Sequence, residues 1–278
     1  MAGGRTTSQQ PEGLILVRDF LSVAEERDLA RELLSPDGPW LDKGHLRFAN
    51  SEQQEFGPVI SDAMEVVEGK PERPMPSATA RLSARVAEEA ERLGLEVSKG
   101  LAAGPDAFCR VNYYRKEGGG YMHKHMDSKK TFGPVIGCCS LLADAAMTFY
   151  DTQGNSFGMA KVHRTAEVQL PRRSLYFMTG PSRSQWQHGI RKDQCPSERL
   201  SLTFRSVLPD APRTSAGKAK IQLKVQKVSP MKRPSSSEAG LPKSSTKHGG
   251  VGAKSASKLK QTPTGIVKRR PAAAKMGL

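Results

Sequence analysis

Aromatic side chains are absent from the last quarter of this 278-residue sequence, residues 211–278, and the same stretch holds a single acid, Glu238. A segment without rings, rich in Ser, Pro, Gly, Ala and Lys, cannot bury enough apolar surface to offset its ordering entropy, so a disordered tail is expected from residue 210. Its 16 lysines and arginines carry a net +15, which is the formal charge of the entire chain, and residues 1–210 are neutral. Apolar runs long enough to span a bilayer are also missing, and residues 1–12 show neither a signal-peptide core nor a basic amphipathic helix. A soluble intracellular protein is expected, cytoplasmic or nuclear, with mitochondria left open and a monomer assumed. Cysteine is scarce, and Cys109, Cys138, Cys139 and Cys195 lack the paired spacing of a thiolate metal site. Reduced thiols follow, with Cys138 and Cys139 on opposite faces of a strand. No internal repeat is present.

What remains is one neutral domain over residues 13–209. Gly13–Val17 reads as a short strand. Ser22 with Glu25 forms a capping box for a helix carrying Leu29, Leu33 and Leu34, which Pro36 closes. A second helix runs from Ser77 to Leu93, with Gly94 at its end. Trp40 to Arg73, between the two, is polar and weakly periodic and is expected to be a mobile loop. From Phe108 the period changes. Seven short strands are predicted, Phe108–Arg115, Val135–Leu142, Met147–Asp151, His163–Leu170, Ser174–Met178, Gln185–Ile190 and Glu198–Leu208, broken by Gly- and Pro-containing turns. The expected fold is α+β: a jelly-roll barrel (a double-stranded β-helix) with supporting N-terminal helices and a basic tail.

His125 and Asp127 are two residues apart, so on an extended segment both face one way, and His188 on a later strand completes two imidazoles and a carboxylate. That set suits a non-haem Fe(II) centre with open positions. The spacing alone also allows His123 to pair with His125, which would look more like zinc. His163 reads as an ordinary surface position.

Arg199, Ser201, Thr203 and Arg205 share one face of a strand, while Leu200, Leu202 and Phe204 take the other. Two enclosed guanidinium groups are costly without an anion, and a dicarboxylate satisfies them in bidentate fashion. Upstream lies Asn112-Tyr113-Tyr114. Together these motifs resemble the AlkB family of Fe(II)/2-oxoglutarate-dependent dioxygenases over residues 13–209, with Ser201 standing where that family usually has Asn. Within the family the chain is similar to the branch that hydroxylates a modified wobble uridine in tRNA, and also to a mitochondrial branch not known for nucleic-acid repair.

The resemblance implies iron on His125, Asp127 and His188. It implies 2-oxoglutarate against Asn112, Tyr114, Arg199, Ser201, Thr203 and Arg205, with dioxygen as oxidant. It implies a nucleotide-recognition lid at about 40–73, in which Phe56 is a candidate to stack on a flipped base. The implied substrate is nucleic acid, RNA ahead of duplex DNA, with the tail adding salt-sensitive affinity. A protein side-chain dioxygenase and a silent nucleic-acid-binding relative remain as alternatives.

Overall fold

The computed structural model describes residues 10–35, 38–41, 50–96, 101, 104–115 and 120–219. Two sheets face each other. The larger has six strands in the order β1 (Leu14–Val17), β9 (Ser174–Met178), β6 (Phe132–Leu141), β11 (Arg199–Val207), β4 (Ala107–Tyr114) and β2 (Glu52–Phe56). The smaller has four, β5 (Met122–His125), β10 (Trp186–Ile190), β7 (Ala145–Asp151) and β8 (Arg164–Leu170). This is the expected jelly roll.

Period-two alternation explains how one strand serves two cores. Leu200, Leu202 and Phe204 of β11 face outward and join Cys109, Val111, Cys139, Leu175 and Phe177 beneath helices α1 (Val23–Leu33) and α2 (Ser77–Arg92). The helices contribute Leu29, Leu33, Leu82, Val86 and Ala90. Facing inward from the large sheet, Tyr114, Ile136, Cys138, Tyr176 and Met178 meet Met147, Phe149, Trp186 and Ile190 of the small sheet. Cys138 and Cys139 thus do enter different cores, and all four cysteines are free and buried. No helix among the described residues is long and apolar enough to cross a membrane.

α1 starts at the predicted capping box: Glu25 N donates to Ser22 Oγ at 3.2 Å, and Ser22 N donates to Glu25 Oε2 at 2.9 Å. Glu26, buried on the next position, ties the helix to the barrel. It accepts from Leu142 N at 2.8 Å and from Arg172 Nε at 2.9 Å. Burial opposes its ionisation, but the Arg172 and Leu142 hydrogen bonds outweigh that and hold its pKa below 4.5. A depressed carboxylate stabilises fully above the unfolded-state value, and that contribution is lost as pH falls through the lower folded-state value. Glu26→Gln is therefore expected to cost about 1–2 kcal/mol at neutral pH, because Arg172 is half in water. The gap between variant and parent should close on acidification below pH 4.5, read from melts across pH.

Two expectations are corrected. The segment read as a loop from Trp40 to Arg73 carries β2, hydrogen-bonded along β4, and β3 (Val66–Glu68). β2 reads Glu-Gln-Gln-Glu-Phe, and its polar side chains are buried because they face the barrel interior or pair locally, which composition alone disguises as loop. Pairing also continues past residue 209, where β12 (Arg213–Ser215) lies parallel to β3. Residues 42–49 of the expected lid and 220–278 of the tail lie outside the described residues.

Candidate metal centre and co-substrate cleft

β5 and β10 are antiparallel neighbours in which His125 stands directly opposite His188, their ring centroids 4.5 Å apart. β5 ends at His125, so Asp127 reaches the pair from the irregular segment that follows rather than from the strand itself. Its Oδ2 lies 3.6 Å from His188 Nε2, and among the described residues these three form the group in which one donor atom from each falls within 4.8 Å of the others. His123, the rival, is exposed and contributes its backbone: its carbonyl meets His125 Nδ1 at 3.0 Å. With Nδ1–H as that donor, His125 keeps Nε2 as a free lone pair.

Asp127 is divided between two tasks. Arg205 donates to Oδ1 through Nε at 2.9 Å and Nη2 at 2.6 Å, while the buried Oδ2 has no hydrogen-bond partner among the described residues. Burial by itself would raise the carboxyl pKa. The Arg205 guanidinium overrides it and holds Asp127 well below the usual carboxylate range. His188 is pushed down to about 3 by burial, then by His125. At neutral pH His188 is therefore uncharged, and Arg205 rather than His188 keeps Asp127 ionised. Two imidazoles and a carboxylate with an unpartnered oxygen fit Fe(II).

Behind this centre a narrow cleft of about 40 Å³ runs into the barrel. Its wall holds all six residues expected for the co-substrate, Asn112, Tyr114, Arg199, Ser201, Thr203 and Arg205, together with His125 and His188. Register explains the grouping, since Arg199 pairs with Tyr114 and Ser201 with Asn112 across β11 and β4. Arg199 is 1% exposed, donates Nε to Ser140 Oγ at 3.0 Å, and leaves Nη2 without a partner among the described residues. Arg205 Nη1 is also unpartnered. Burial raises the Tyr114 hydroxyl to about 12, so it stays a hydrogen-bond donor. A buried guanidinium with an open N–H is a binding position awaiting an anion.

Three contributors escaped sequence reasoning. Arg183, on the short helix α3 (Gly180–Ser184), is buried and donates to Asp127 O at 2.9 Å and Ser128 O at 3.0 Å, clamping the turn that carries the ligand. No motif marks it. Gln53 of β2 lines the cleft and donates to Asn112 Oδ1 at 2.8 Å, orienting that amide beside Ser201. Recognising β2 as a strand paired with β4 would have found it. Gly189 follows His188, and a Cβ there would sit 2.8 Å from Met122 O and 2.9 Å from Lys124 N. Gly189→Ala is expected to push β5 from β10 and to weaken iron retention about 10- to 100-fold, measured by metal titration. Unchanged affinity would show that the strand spacing does not set the centre.

Phe56 is elsewhere. It is 3% exposed and packs in the core beneath the helices, so its ring is no platform for a base.

Residues 13–205 match the family model of the 2OG-Fe(II) oxygenase superfamily. The human alpha-ketoglutarate-dependent dioxygenase alkB homolog 4 is 22% identical over 222 residues, which covers 70% of this chain and 67% of that protein. The mouse tRNA (carboxymethyluridine(34)-5-O)-methyltransferase ALKBH8 is 27% identical over 199 residues, covering 70% of this chain but only 26% of the mouse protein. Among solved structures, that of OsALKBH1 superposes with a TM-score of 0.50 at 18% identity, covering 72% of this chain and all of that one. With the centre, the cleft and the matched span in agreement, this chain belongs to the 2OG-Fe(II) oxygenase superfamily as an AlkB-type dioxygenase using Fe(II), 2-oxoglutarate and dioxygen.

Proposed function

We propose that this dioxygenase oxidises nucleic acid, hydroxylating or oxidatively demethylating it, with RNA preferred to duplex DNA. The observation that carries the substrate class is the charge distribution. The whole +15 lies in residues 211–278, attached to a neutral catalytic domain, and diffuse cationic tails add sequence-independent affinity for polyanions. The tRNA methyltransferase relative supports RNA, although this chain spans about a quarter of it.

Fe(II), 2-oxoglutarate and dioxygen, when bound, supply oxidation of a substrate C–H bond with release of succinate and CO2. The chain's residues position and shield. His125, Asp127 and His188 would hold the metal. Arg199 would grip the distal carboxylate of 2-oxoglutarate, with Asn112, Tyr114, Ser201 and Thr203 donating around it. Arg205 holds Asp127 Oδ1, and its Nη1 would steady the co-substrate at its metal-proximal end. The apolar wall of Met147, Tyr176, Met178 and Ile190 limits water in the cleft.

The test is succinate formation by the full chain with Fe(II), ascorbate and 2-oxoglutarate, in the presence of methylated or wobble-modified RNA, methylated DNA, or protein extract. Stimulation by RNA above the uncoupled rate is expected. Stimulation by protein extract alone would replace this reading with a side-chain dioxygenase.

A further inference from the structure

Among the described residues, three large apolar side chains are exposed, and two of them, Phe157 at 77% and Met159 at 98%, stand together on the connection between β7 and β8. Single exposed apolar residues need no explanation, but a paired ring and thioether at the tip of an anchored loop do. The anchoring is specific. Thr152 N and Gly154 N donate to Gln185 O at 3.2 and 3.1 Å, and Thr152 Oγ1 donates to Asn155 O at 2.7 Å. Gln187 Nε2 donates to the carbonyls of Asn155 and Phe157 at 2.9 and 2.8 Å. Gln187 is fully buried and directly precedes His188, so alternation along β10 sends one side chain to the metal centre and the next to this loop.

The surroundings are cationic. Lys161 is exposed on the same connection and Arg164 at the start of β8, Lys129 and Lys130 are exposed just past Asp127, and residues 152–164 contain no acid. Lys129 Nζ approaches Gly154 to 3.8 Å from where a Cβ would lie. The acid that precedes the loop, Asp151, is neutralised by Arg164 at 2.8 Å. An exposed ring beside exposed lysines is the combination that binds unpaired nucleic acid. Bases stack on the ring whatever their sequence, and phosphates take the charge.

We propose that the 152–164 connection is a docking lip for the unpaired RNA strand flanking the target nucleotide. Phe157 stacks on a neighbouring base, Met159 extends the apolar contact, and Lys161 and Lys129 meet phosphates. The inference rests on the nucleic-acid reading above and supplies the contact that Phe56, buried in the core, does not.

The experiment titrates a fluorescently labelled, unstructured RNA oligonucleotide into the full chain with Fe(II) and 2-oxoglutarate, without oxygen. Raised salt screens the tail's diffuse attraction. Phe157→Ala is expected to weaken binding about tenfold, Phe157→Trp to retain it, and Lys161→Ala to reduce the salt slope by about one ion. Uncoupled succinate formation in air stays at the parental rate in each variant, since none of these residues lines the cleft. Parental affinity in Phe157→Ala would overturn the lip and leave the RNA reading standing. An equal loss in Phe157→Trp would overturn it as well, because packing rather than stacking would then be at fault. Absence of RNA binding by the parent would overturn both.

Discussion

Asp127→Asn is expected to lower succinate formation by more than about 100-fold, because outer-shell partners of metal ligands already cost 10- to 100-fold and this is a ligand itself. It is also expected to destabilise the fold. Arg205 donates twice to Asp127 Oδ1 with both side chains about 6% exposed, so an amide there leaves a buried guanidinium without its counter-charge. Breaking such a pair costs about 3–5 kcal/mol. A second substitution separates the two effects. Asp127→Asn with Arg205→Met removes the orphaned charge, and its melting temperature should recover towards the parent while turnover stays lost. Recovery of turnover in the double variant, or its survival in the single one, would remove Asp127 from the centre.

Arg199→Met is expected to move function and stability in opposite directions. Arg199 is 1% exposed, and its Nη2 lacks a hydrogen-bond partner among the described residues. Losing one member of a buried charge-assisted contact costs about 2–5 kcal/mol, so the KM for 2-oxoglutarate should rise at least about 30-fold. Without co-substrate the sign reverses. Replacing a buried unpaired charge by an apolar side chain of similar length is neutral or stabilising, so the melting temperature should hold or rise. Addition of 2-oxoglutarate should then raise it in the parent but not in the variant. A drop in melting temperature with an unchanged KM would mean that Arg199 is structural.

The two arginines were legible before any fold was known because β11 is regular. Nine consecutive residues alternate between helix-facing and barrel-facing positions, so Leu200, Leu202 and Phe204 declared one side and Arg199, Ser201, Thr203 and Arg205 the other. The capping box at Ser22 and the helix ending before Gly94 were equally local, and Gly94 takes the left-handed φ of 68° that such an ending favours. β2 was illegible for the opposite reason. Its glutamines and glutamates resemble a surface loop until Asn112, Arg110 and the Leu33 carbonyl are brought alongside to satisfy them. Phe56, at the end of that strand, went wrong with it: a ring beside a glycine carries no local sign of which way it will face.

The sequence by itself determined which residue types could hold a metal and a dicarboxylate, because their chemistry and their period-two spacing are properties of the chain. It also located the whole positive excess in the tail. The surrounding motifs already favoured His125 over His123, and the tertiary structure shows the reason, setting His125 opposite His188 across β5 and β10 and leaving His123 exposed. Only it assigned Arg205 to one oxygen of Asp127 and left the other open. Those outcomes depend on burial and on partners some 60 to 80 residues away, and neither is encoded in the spacing of neighbours along the chain.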